Sequence, residues 1–284
     1  MPQPKDPMTI DLLQLPYSER QLIVVQPDEV VAATRDAQTT ANTDDAPTDW
    51  KTIAARVGKE AWKFTIFGVA DATIEALSAW AKAREGGLNV LQISRSDAAR
   101  LQFPPGHPRD QALYVAHPAL PSVYYTTATF HRMAFEHKFS EAIYLLMSLG
   151  ATKITVEHVR GWSREFSSKL SAPIPKAEAK LSASRTTASE SSLLFEAILN
   201  NRHGPAIPSS LVWYQHEPTW QAIAMGRTQF GLSQFSLTVN YEDDFGVNAG
   251  LKVRVQKAGL DLGGNFEDHM ATTWKIHGAF GSDV

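Results

Sequence analysis

The chain has 284 residues, 43% apolar and 20% charged, with a net charge of −3. That composition excludes global disorder, allows one large domain or two modest ones, and disfavours nucleic-acid binding driven by general phosphate attraction. The complete absence of cysteine removes disulfide frameworks, thiolate zinc sites, iron–sulfur clusters and cysteine nucleophiles. It also removes a zinc-deaminase reading of His216-Glu217-Pro218, which needs thiolate ligands.

Residues 1–48 read as an N-terminal arm and linker. Three prolines within Met1–Pro7 do not make a secretory signal, so a cytoplasmic location is the expectation. Gln21 to Val25 has the makings of a short strand, and Gln38 to Thr48 has a linker composition. From residue 49 to 284 we expect a single α+β domain, mainly helical over 49–150 and mainly β over 151–284. Asp49 and Asp71 suit helix N-caps, Gly86-Gly87 ends the second helix, and Asn89 to Ser94 reads as a short buried strand. The clearest helix falls between Thr127 and Leu149, where Phe135, Phe139, Ala142, Ile143, Leu146 and Leu149 form one apolar stripe ended by Gly150.

Beyond Lys153 the period changes to two. Ile154, Val156, Trp162, Phe166 and Leu170 alternate with polar residues over 153–171, with a bend expected at Gly161. A weaker alternation through Ala177, Ala179, Leu181 and Ala183 follows. The segment 153–199 therefore predicts a long β-hairpin. Its length and small-residue alternation are what a membrane-inserting hairpin needs, and Trp162, Phe166, Leu170 and Leu181 are its membrane-facing or partner-facing candidates. Thr219 to Phe230 has room for a helical turn. Phe235, Leu237, Val239 and Tyr241 form a clean strand, and Val247, Ala249, Leu251, Val253 and Val255 read as the next one. Asp243-Asp244-Phe245-Gly246 is the hairpin turn expected between them. Leu260, Leu262 and Phe266, then Trp274, Ile276 and Phe280, complete an expected antiparallel meander.

Phosphate-loop, dinucleotide, nucleophile-elbow and His-Glu-x-x-His motifs are missing. Asp243, Asp244, Asp268 and His269 are the catalytic candidates, since loop carboxylates and a histidine at one end of a sheet suit general acid–base work. Their spacing matches no metal signature, and no metal or cofactor is expected. His137 and Glu141, four apart, read as a helix-surface pair. Lys252, Arg254, Lys275 and His277 would line the polar face of the sheet as a basic stripe. The reading favoured by these features is a non-enzymatic binding or assembly protein. Its long-stranded antiparallel sheet would engage a protein partner or a second copy. One alternative is a pore-forming toxin or defence effector inserting 153–199 under some conditions. The other is a hydrolase or transferase built on the loop carboxylates and histidine.

Overall fold

The computed structural model describes residues 12–32, 34, 70–162, 193–200 and 204–281, with the backbone alone over 70–77. The chain forms two compact units. The first combines Met1–Phe130 with Gly246–Asp268, and the second combines His131–Phe245 with His269–Val284.

The first unit is built on a four-stranded sheet of order β2-β1-β3-β4, with β1 at Leu22–Gln26, β2 at Val90–Ser94, β3 at Leu113–Ala116 and β4 at Tyr124–Thr126. β1 and β2 run parallel, and helix α2 (Ala70–Glu85) lies between them in the chain, as a parallel crossover requires. Trp80 of α2 donates from its indole nitrogen to the Val90 carbonyl at 3.2 Å, holding helix to strand. β3 returns antiparallel to β1, and β4 antiparallel to β3. Ile23, Val25, Tyr114, Ala116 and Tyr124 form the core of this sheet, against which Tyr17 of the one-turn helix α1 (Tyr17–Arg20) packs. Tyr124 sits deep enough that burial pushes its phenol up to about 12. Its hydroxyl donates to the Arg20 carbonyl at 2.9 Å. α3 (Arg95–Ala98) follows β2, capped by Ser94, whose hydroxyl accepts from the Asp97 amide.

The second unit holds the other sheet, in the order β6-β5-β8-β7 and antiparallel throughout. Its strands are β5 (Ala151–Arg160), β6 (Leu193–Ile198), β7 (Gln234–Tyr241) and β8 (Thr272–Phe280). One face packs on helix α4 (Phe130–Ser148). Phe135 and Phe139 meet the Trp274 ring edge-on at 4.8 and 5.0 Å, geometries worth about 0.5–1.5 kcal/mol each beyond the area buried. Helix α5 (Pro218–Phe230) buries Trp220, Ala224 and Arg227 at helical spacing. The Arg227 guanidinium donates to the carbonyls of Leu149 at 3.2 Å and Gly281 at 2.8 Å. It thereby ties α5 to the end of α4 and to the exit of β8. Gly278 of β8 stands opposite Ile154 of β5. A methyl group there would collide with the Lys153 backbone and approach the Phe235 ring to 2.8 Å.

Several expectations need correction. The N-terminal half is not merely helical, because it supplies all four strands of the first sheet. β3 and β4 carry no alternation to betray them, since every residue in both is buried. The segment expected as a strand over Val247 to Val255 is helix α6 (Ala249–Ala258) of the first unit, capped by Asn248 and closed by Gly259 in the left-handed region. Val247, Leu251 and Val255 satisfy a spacing of two and a spacing of four equally. The buried set Leu251, Val255 and Ala258 is helical, and Val253 is exposed. There is therefore no meander, and Asp243 to Gly246 leads into a helix rather than a hairpin partner. Leu260, Leu262 and Phe266 lie in an irregular segment pinned to the first unit. The Leu113 amide donates to the Asp261 carbonyl, and the Ala128 amide to that of Leu262.

Among the described residues no helix is long and apolar enough to cross a membrane.

Candidate functional site

The two ends of the expected long hairpin do pair. β5 and β6 are antiparallel, with Lys153 opposite Ile198 and Val156 opposite Phe195. β5 stops at Arg160, and Gly161 turns with a φ of 86°, at the bend that the glycine predicts. A Cβ on Gly161 would lie 2.5 Å from the Thr272 backbone, so a glycine is needed there. Phe166, Leu170 and Leu181 lie outside the described residues.

Trp162, the described member of the expected membrane-facing or partner-facing set, is half-buried. Its ring packs within the second unit, 5.4 Å from Phe135 and 5.9 Å from Tyr241. Its amide donates to the Thr272 hydroxyl, and its carbonyl accepts from the Trp274 indole. Tyr241 is the hub of this aromatic group. Its hydroxyl lies 2.9 Å from His131 Nδ1, and both side chains are buried. His269 joins the group, its ring 5.0 Å from that of His131 and 5.8 Å from that of Tyr241.

Of the other proposed catalytic residues, Asp243 and Asp244 belong to the second unit and Asp268 to the first. Asp243 accepts from the Phe245 amide at 2.7 Å, the local turn that aspartate favours. Among the described residues no three histidines or carboxylates are placed to hold a metal. The strand expected to carry Lys252 and Arg254 beside Lys275 and His277 is a helix. Lys252 and Arg254 stand on α6 in the first unit, where the Lys252 ammonium lies over the Phe266 ring at 5.5 Å. Lys275 and His277 stand on β8 in the second.

His137 and Glu141 are not a surface pair. Glu141 is buried and accepts from two backbone amides of the following loop, Val212 and Tyr214, both at 2.8 Å. His137 Nδ1 accepts from the Trp213 indole at 3.1 Å. Burial holds the His137 imidazole below the usual histidine value, with Glu141 opposing the shift. Lys138, between them in sequence, forms an ion pair with Glu217 and lies 5.2 Å over the Trp213 ring. It also donates to the Asn240 carbonyl at 2.7 Å. This lysine had no signal in the sequence, because a single cation within an apolar helical stripe looks like a snorkelling surface residue.

The most distinctive surface of the second unit is β7. Its inward residues Phe235, Leu237, Val239 and Tyr241 are buried, and Gln234, Ser236, Thr238 and Asn240 are exposed. Among the described residues β7 is the last strand of its sheet, paired with β8 in an unbroken register from Gln234 opposite Ala279 to Tyr241 opposite Thr272. The Phe280 amide donates to the Ser233 carbonyl at 2.9 Å. That bond fixes the phase of the ladder, because opposed antiparallel residues alternate between bonded and non-bonded pairs. Phe235, Leu237, Val239 and Tyr241 exchange bonds with β8, and the amides and carbonyls of Gln234, Ser236, Thr238 and Asn240 point to the outer side. Lys138 takes the Asn240 carbonyl on that side. Beside the edge, on the polar face, lies an open cleft of about 520 Å³ lined in part by Gln234, Ser236, His277, Thr155 and Lys153.

No protein-family model, curated protein or solved structure matches this chain.

Proposed function

We propose that the protein is a non-enzymatic binding and assembly protein whose second unit takes an extended polypeptide onto the outer edge of β7. The observation that carries this reading is the character of that edge. Proteins usually blunt an open edge with charge, proline, a bulge or shortness. β7 is eight residues long with no register shift, and its residues, Gln-Phe-Ser-Leu-Thr-Val-Asn-Tyr, include neither a charge nor a proline. Among the described residues only its far end is modified, where Lys138 holds the Asn240 carbonyl. An added strand would gain main-chain hydrogen bonds from Gln234, Ser236 and Thr238, the mode by which sheet edges recognise extended peptides.

The ladder phase supplies the test. Ser236→Pro removes an outward-facing amide and leaves the bonds to β8 intact, a position at which edge strands tolerate proline. Labelled eight-residue peptides alternating polar and β-branched residues are titrated against the full chain and against this variant. At least one should bind the native chain and lose roughly tenfold or more in S236P, the loss of about one to two hydrogen bonds. Binding by none of the peptides, or binding indifferent to the substitution, would overturn the reading.

A further inference from the structure

Building on that reading, we infer that the strand received by β7 belongs to a second copy of this chain, paired antiparallel, β7 to β7, about Ser236. Capture of the Asn240 carbonyl by Lys138 leaves Gln234, Ser236 and Thr238 as the outward-facing set, and its centre is Ser236. A two-fold axis through that point sets Ser236 opposite itself and Gln234 opposite Thr238 on the polar face. On the apolar face it sets Phe235 opposite Leu237. Polar neutral groups meet polar neutral groups, apolar meets apolar, and no charge meets its like. These are the conditions under which cross-strand pairs stabilise rather than repel. The same patch serves both partners, as a two-fold interface requires. An edge without charge has nothing with which to select an oppositely charged foreign strand, and a net charge of −3 opposes the approach of two copies only weakly.

Ser236 is exposed, so it accepts a charged replacement without disturbing the core. Light scattering with size exclusion is run over a wide concentration range on the native chain, on Ser236→Lys, on Ser236→Glu, and on an equimolar mixture of the two variants. The expected result is a concentration-dependent dimer for the native chain, monomers for each variant alone, and a dimer restored in the mixture, where lysine faces glutamate across the axis. Native chain that stays monomeric at every concentration would overturn the self-pairing. If the alternating peptides still bind it, the edge reading stands without the second copy; if they do not, both fall. Variants that dimerise as well as the native chain, or a mixture of folded variants that does not dimerise, would equally overturn pairing about Ser236. Ser236→Pro provides a second check should either charged variant fold poorly, with a monomer expected.

Discussion

Lys138 Nζ reaches the carbonyl of Asn240 at 2.7 Å, joining the middle of α4 to the last outward-facing group of β7. One ammonium thereby serves three purposes. It neutralises Glu217, covers the Trp213 ring and takes the carbonyl at one end of the β7 edge. The side chains of the pair are 10% and 19% exposed, so their mutual attraction is only partly screened.

Lys138→Met keeps the aliphatic stem and removes the charge. The Glu217 carboxylate is then left partly desolvated without its cation, a loss of about 2–4 kcal/mol scaled from buried ion pairs with one partner removed. Urea unfolding should show that drop in midpoint with little change in slope. A loss of unfolding free energy below about 0.5 kcal/mol, the size typical of exposed pairs, would show that the pair is solvated after all.

Glu141 organises the loop after residue 210. Its two oxygens accept from the Val212 and Tyr214 amides, and a carboxylate accepts both bonds where an amide offers one acceptor and one donor. Glu141→Gln therefore turns an NH2 group toward a backbone N–H. The expected cost is about 1.5–3 kcal/mol, with faster amide exchange at 212 and 214 before any change in the sheet. Exchange at those two amides that matches the native protein would contradict this role.

His137 gives the protein an acid sensitivity with a definite sign. Burial lowers its folded-state pKa below the ordinary 6.5, so between the two values the unfolded chain binds the extra proton. Stability then rises with pH across that window. It is fully present above about 6.5 and is lost progressively as pH falls toward the depressed value. His107, also lowered by burial and next by Arg109, contributes in the same direction. His137→Gln retains an acceptor for the Trp213 indole and does not titrate. Its unfolding free energy should fall less steeply than that of the native protein between pH 7 and 5, and identical slopes would exclude His137 as a source.

Much of the second sheet was legible because a half-buried strand alternates. Phe235 to Tyr241 and Trp274 to Phe280 show it, as does the start of β5. The helix stripe of α4 was equally plain, with Gly150 at its end in the left-handed region. What failed did so for identifiable reasons. In α6, valines and leucine four apart mimic a strand, and the Asn248 cap and Gly259 were the better guides. In the first sheet, β3 is buried throughout and too short to show a period. By alternation Trp162 shares the apolar face of Ile154 and Val156, and past the turn at Gly161 it packs beside Phe135 and Tyr241. The edge position of β7 is set by pairing order, to which its own residues contribute nothing readable. Its lack of charge was visible from the start and acquired meaning only once the strand was seen to lie last in the sheet.

The most direct measurement of the central claim is amide hydrogen exchange along β7, at low protein concentration and again with an edge-binding strand, peptide or second copy, at saturation. The outward amides of Ser236 and Thr238 should exchange fast in the free protein and become strongly protected on binding, while those of Leu237 and Val239, bonded to β8, are protected in both conditions. Protection at Ser236 and Thr238 that does not change on saturation would contradict strand addition at this edge.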